Sequence, residues 1–162
     1  CKYGFNTEGS TMKLTVLKCS QYPNAEADQG AHKLTYSIMA YEGDFRNAGV
    51  INEAYALNQP FEVKTVGANN GDFDDNFSLV SCDKSNVIVE TVKKAESDDG
   101  MIVRLYDAFN RRTRATVTVA NGFKEAYLCD LMENELEKLE FDGSSVTIKV
   151  NNFEIVTLKF VR

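Results

Sequence analysis

From residue 77 to the end, short runs of alternating apolar and polar residues follow one another, separated by turn dipeptides. In a β-strand successive side chains point to opposite faces, so alternation means a strand with one face buried. NVIVETVKKAE and GMIVRLYDAF form the strongest pair, joined by Ser-Asp-Asp-Gly, a hairpin signal. RATVTVA follows, and Asn121-Gly122 then introduces KEAYLCDL. Asp142-Gly143 marks a further turn, and SVTIKV with FEIVTLKF reads as another hairpin. ENELEKLE is ambiguous, because Leu136 and Leu139 suit a helical turn while their neighbours read as strand. With FEVKTV and NFSLVSC, at least seven short strands arise without alternating helices. The fold class is therefore all-β, with an antiparallel sandwich over residues 61–162.

The earlier part of the chain carries two more alternating runs. TMKLTVLKC places Met12, Leu14 and Val16 on one face, and HKLTYSIMA places Leu34, Tyr36, Ile38 and Ala40 on one face. Between these strands and the sandwich, Phe45, Ala48, Ile51 and Tyr55 recur at helical spacing in residues 44–57. Asp44 is placed to cap that helix, and Pro60 ends it. The expected organisation is strands in 1–42, a bridging helix and linker in 43–60, and a sandwich in 61–162.

Bulk properties remove several classes of function. The chain has 162 residues and an apolar fraction of 43%, enough for a sizeable core. Its 18 basic and 24 acidic residues leave a formal charge of −6, which disfavours nucleic acid as a partner. No apolar run approaches the ~18 residues that a membrane span needs. The opening CKYGFN does not read as a secretory leader, and a start on cysteine reads as a chain cut from something longer. Cys1, Cys19, Cys82 and Cys129 form no Cys-x-x-Cys pair, and Cys19 and Cys129 fall at strand ends, where a free thiol behaves as a small hydrophobe. This usage suits a reducing compartment, with the cytoplasm as the expected location.

Chemistry-bearing residues are sparse. Asp28 precedes His32, the only histidine, by four residues. The two could be part of a metal site or an acid/base pair, or a turn leading into a strand. One histidine offers too few ligands for zinc, so a structural, hydrogen-bonded His32 at a strand head is expected. GDFDDN at 71–76 gathers acidic residues but lacks the ligand spacing of a calcium loop. Glu90, Glu96 and Asp107 lie on the central pair of strands, where carboxylates could in principle cleave a glycosidic bond, although solvent-facing acids mostly serve solubility. Asp98 and Asp99 are explained by their turn. Arg111, Arg112 and Arg114 read as a hairpin tip, and Asn76-Phe77-Ser78 fits the glycosylation pattern. Tyr3, Tyr22, Tyr41 and Tyr127 could stack sugar rings, which leaves a carbohydrate-binding or interaction β-sandwich module as the alternative function. No serine-histidine-acid set, phosphate loop or dinucleotide fingerprint occurs. The residues thus give no catalytic, cofactor-binding or metal site in this chain.

At the central hairpin the sequence resembles a known family. The stretch from Ser78 to Val119, SLVSCDKSNVIVETVKKAESDDGMIVRLYDAFNRRTRATVTV, is similar to the C-terminal β region of glycoside hydrolase family 38, the α-mannosidases. SQYPNAEADQGAHKLTYSI resembles a second family block through Asp28, Gln29, Gly30, His32 and Tyr36, and AYALNQP and NNFEIVTLKF resemble two more. The order is kept from about residue 11 to the end. Asp107 stands where the family usually has glutamate, and Asn152 where it usually has proline. The resemblance implies that 1–42 are the last strands of a β-supersandwich. It implies that zinc and the aspartate nucleophile of a retaining α-mannosidase belong to a separate N-terminal catalytic domain. That domain is then the expected partner, with mannosides reached through it. Unpaired edges of an incomplete supersandwich would also permit a homo-oligomer.

Overall fold

The computed structural model describes residues 4–68, 70–73 and 76–162, and the chain divides into two units, Cys1–Glu42 and Gly43–Arg162. Among its described residues the first unit holds one regular element, a hairpin of β1 (Phe5–Glu8) and β2 (Thr11–Leu14). The strands pair antiparallel from Phe5↔Leu14 to Glu8↔Thr11, and an ion pair of 3.1 Å joins Lys13 Nζ to Glu8. Both strands are exposed throughout. The strand expected over 32–40 does not form: Leu34, Tyr36 and Ile38 are exposed and no ladder includes them. A strand needs a partner for its N–H and C=O rows, and alternation alone does not supply one.

In the second unit the helix is shorter than its periodicity predicts. It is α1 (Val50–Asn58), and its N-cap is Gly49 at φ 72° rather than Asp44. Glycine occupies this left-handed position without steric cost. Asp44 instead closes its own turn, its carboxylate accepting from Arg46 N at 2.8 Å and its carbonyl from Asn47 N at 3.1 Å. Phe45 and Ala48 consequently stand before the helix. FEVKTV, the strand expected at 61–66, also lacks a ladder, with Phe61 and Val63 exposed.

Eight strands build the sandwich. They are β3 (Val80–Cys82), β4 (Val87–Lys94), β5 (Met101–Asp107), β6 (Thr113–Val119), β7 (Glu125–Cys129), β8 (Glu135–Leu139), β9 (Ser145–Val150) and β10 (Ile155–Val161). One sheet runs β4-β5-β10-β7-β8 and the other β3-β6-β9, with every pairing antiparallel. The all-β antiparallel class read from alternation is the observed one, and ENELEKLE is resolved as β8. Two local readings are corrected. SVTIKV and FEIVTLKF are not a hairpin, because β9 pairs β6 and β10 pairs β5 and β7. Residues 108–112 are not a hairpin tip either, since β5 and β6 lie in different sheets and Arg114 is within β6. Consecutive strands that change sheet carry the same alternation as a hairpin, so the pattern does not separate the two.

The core lies where the sheets meet. Val103 and Leu105 of β5 and Val156, Leu158 and Phe160 of β10 pack with Ala115, Val117, Val146, Ile148 and Val150 of the smaller sheet. Phe160 stacks obliquely on Phe123 and edge-on to Phe141, at 5.9 and 5.6 Å. Each large apolar side chain buried in this way contributes roughly 1.5–3 kcal/mol. Gly100 admits the tight return from β4 to β5, because a Cβ there would lie 2.8 Å from an Asp98 carboxylate oxygen.

Candidate functional site

The Asp28–His32 pair is a main-chain brace. His32 Nε2 donates to the carbonyl oxygen of Asp28 at 2.8 Å, and the Cys19 thiol points at the same oxygen from 3.6 Å. Asp28 has a positive φ of 59°, in a turn where Gln29 N donates to Glu26 O. The imidazole therefore bonds to the backbone of Asp28. It stands outside any strand, which corrects the expected strand head. Cys19 is likewise exposed and outside a strand, whereas Cys129 ends β7 and is buried.

The other candidates are dispersed. Within GDFDDN, Asp74 and Asp75 lie outside the described residues, as do Tyr3 and Cys1. Asp98 accepts from Gly100 N and pairs with Lys159 at 2.6 Å, and Asp99 pairs with Lys94 at 2.7 Å. Glu96 pairs with Lys93, and its backbone N–H donates to Glu133 at 2.8 Å. Tyr22 and Tyr41 are exposed, and Tyr127 donates to Glu125 at 2.6 Å. Among the described residues no three His, Cys, Asp or Glu groups are placed to hold a metal ion.

Asp107 is the most committed carboxylate. It is fully buried, and one oxygen accepts from Asn86 Nδ2 at 2.7 Å and Phe109 N at 3.2 Å. The other accepts from Arg111 N at 2.9 Å and Phe153 N at 3.0 Å. Burial alone would raise its pKa, but the bonds from Phe153, Asn86, Arg111 and Phe109 together hold it below the ordinary carboxylate range. These donors tie three connections to one strand end, so Asp107 organises loops instead of offering a reactive acid.

The outer face of the larger sheet, which the sequence pattern did not single out, carries a concentrated polar cluster. Lys159 sits in the central strand β10, buried, between Asp98 and Glu135 at 2.6 and 2.7 Å. Those two carboxylates raise its pKa above the usual lysine range. Glu133 reaches in from the β7–β8 connection to Lys93 at 2.8 Å, and Arg104 Nη2 donates to Leu131 O at 2.8 Å. The available signal was a lysine inside VTLKFV, a polar residue where a central strand is apolar on both sides. Beside this cluster lies a concavity of about 530 Å³ lined by Ile51, Glu90, Arg104, Leu131, Phe153 and Ile155. Tyr106 also lines it; its hydroxyl meets that of Tyr55 at 3.1 Å, and burial, then that bond, push its pKa up to about 12.

Residues 86–158 match the family model described as Glycosyl hydrolases family 38 C-terminal beta sandwich domain. The matched span runs from Asn86, a ligand of the Asp107 hub, through most of β10. The chain is 34% identical over 167 residues to Alpha-mannosidase G of Dictyostelium discoideum, covering 99% of this chain and 15% of that protein. It is 32% identical over 166 residues to Alpha-mannosidase 2C1 of Homo sapiens, covering 99% and 16%. With Alpha-mannosidase of Saccharomyces cerevisiae the identity is 28% over 181 residues, covering 98% and 16%. The chain thus spans about 15–16% of the length of these curated relatives. The matched span and the relatives aligned along 99% of the chain show that it belongs to glycoside hydrolase family 38, as the C-terminal β region of that family.

Proposed function

We propose that this chain is the non-catalytic C-terminal β region of a retaining, zinc-dependent α-mannosidase that hydrolyses terminal α-mannosyl linkages. Its role is structural support: it packs against the N-terminal catalytic domain and fixes the geometry of its surroundings. The observation that carries the reading is the match of residues 86–158 to the family's C-terminal sandwich, in relatives named α-mannosidases. In the proposed parent, the covalent glycosyl-enzyme chemistry of a retaining glycosidase belongs to the catalytic domain. Residues 1–42 are proposed as the last strands of a supersandwich, 43–60 as the bridge and 61–162 as the terminal domain. Exposed alternating runs in the first unit support this, since their apolar faces find no cover within it. Free thiols at Cys19, Cys82 and Cys129 accord with a cytoplasmic location. Among the described residues no helix is long and apolar enough to cross a membrane.

The test is hydrolysis of an aryl α-mannoside by the purified chain, with and without added zinc. No turnover is expected, and turnover would place catalytic machinery in these residues. Calorimetric titration with mannose should give no saturable heat; saturation would replace the scaffold with a carbohydrate-binding module.

A further inference from the structure

The two outer faces of the sandwich differ in kind. On the three-stranded sheet, Arg114 pairs across from Lys149, Thr116 from Thr147 and Thr118 from Ser145, a face suited to water. On the five-stranded sheet, the 530 Å³ concavity is rimmed by Leu131, Phe153 and Ile155, which are 59%, 62% and 59% exposed. We infer that this concavity seats a bulky apolar side chain from the part of a family 38 polypeptide that the chain does not span, a docking contact that rests on the reading proposed above.

Three observations select that occupant. First, Glu90, Arg104 and Tyr106 of the seat each already have a partner, Arg104 through its Nη2. Ladder register shifts between Val89 and Thr91, so Glu90 bulges beside Arg104, and a bulge of this kind re-aims a side chain. Glu90 accepts from Thr91, Arg104 donates to Leu131 O and Tyr106 meets Tyr55. A sugar would bring many hydroxyls to groups that have partners, while an apolar side chain needs none. Second, Arg104 Nε is buried without a hydrogen-bond partner among the described residues. A peptide occupant carries carbonyl oxygens that can accept from it, which a hydrocarbon does not. Third, the relatives align with 98–99% of this chain yet are spanned by it to only 15–16%. A segment tethered in the same polypeptide acts at roughly millimolar effective concentration, and so outcompetes a second copy of the chain.

The experiment compares amide hydrogen exchange of the 162-residue chain with that of a full-length family 38 polypeptide that carries it as its C-terminal region. Residues 104–108 and 153–155 are expected to exchange at least about tenfold more slowly in the whole polypeptide. Ile155→Asp and Leu131→Ser, both at exposed positions, should abolish that extra protection and leave the thermal midpoint of the chain alone within about 2 °C. Thr147→Asp on the opposite face should leave the protection intact. Equal exchange in both forms, or protection that survives both substitutions, overturns the inference. A dimer of the isolated chain that Ile155→Asp converts to monomer also overturns it, in favour of a second copy. Protection without aryl α-mannoside hydrolysis sustains the docking and overturns only the proposed activity.

Discussion

Residues 32–40 and β9 carry the same period-two pattern, and they end in opposite states. Ile38 is 91% exposed and belongs to no ladder, whereas Ile148 is 6% exposed and faces Ala115 across β6. Alternation specifies which side chains share a face; it does not provide the strand alongside or the sheet opposite. In the second unit both are supplied within residues 80–161. For residues 32–40 neither is supplied among the described residues of the first unit, and Leu34, Tyr36 and Ile38 stay exposed. The polar groups repeat the contrast, since Asp107 gathers four donors from three connections while the His32 imidazole donates to one backbone carbonyl four residues away.

The largest expected effect tests that polar contrast. Asp107→Ala removes the acceptor of four hydrogen bonds from a fully buried position, leaving three backbone N–H groups and the Asn86 amide to be satisfied otherwise. A loss of about 3–5 kcal/mol in urea unfolding is expected. His32→Ala should cost less than about 1 kcal/mol, because it deletes one exposed bond to backbone. Equal losses at the two sites would break the comparison.

Ile148→Ala comes next. It opens a cavity where both sheets meet and should cost about 2–4 kcal/mol by the same measurement. A loss under about 1 kcal/mol would mean that the core collapses around the gap, and that burial in the second unit is less tightly determined than its register indicates.

The pH dependence of stability follows from Asp107. Its folded pKa lies below its ordinary value, so its contribution is fully present above about pH 4, the unfolded carboxylate range. The contribution is lost as pH falls through the depressed folded value. Wild-type unfolding midpoints should therefore decline on acidification below about pH 4, and Asp107→Asn should flatten that decline. A variant with an unchanged acid profile would move the acid sensitivity to the Asp98, Glu133 and Asp142 carboxylates, which are also held low.

Much of the sandwich was legible because its strands satisfy the pattern twice, once in sequence and once in space. NVIVETVKKAE and GMIVRLYDAF became β4 and β5 because Ser97 to Gly100 is short enough to fix their register. SVTIKV was read as a strand correctly but given the wrong neighbour, since nothing local distinguishes a turn within a sheet from a crossing between sheets. The polar cluster around Lys159 was not found: its partners Asp98 and Glu135 are 61 and 24 residues away in sequence, and each looks like ordinary surface charge. Glu90 shows the same limit from the other side. It was weighed as an acid of a central strand, yet its position depends on a bulge that no composition or periodicity announces.

The smallest expected effect sharpens the comparison most. Ile38→Ala in the 162-residue chain should change unfolding free energy by no more than about 0.5 kcal/mol, because an exposed side chain has little burial to lose. If the uncovered face of 32–40 is completed by strands elsewhere in a longer polypeptide, the same substitution there should cost about 2–4 kcal/mol, as expected for Ile148→Ala in the sandwich. The two backgrounds then differ only in whether a partner is present, so the difference between them measures what the partner adds. A cost that stays small in both would show that the alternation of Leu34, Tyr36 and Ile38 is never used to build a buried face.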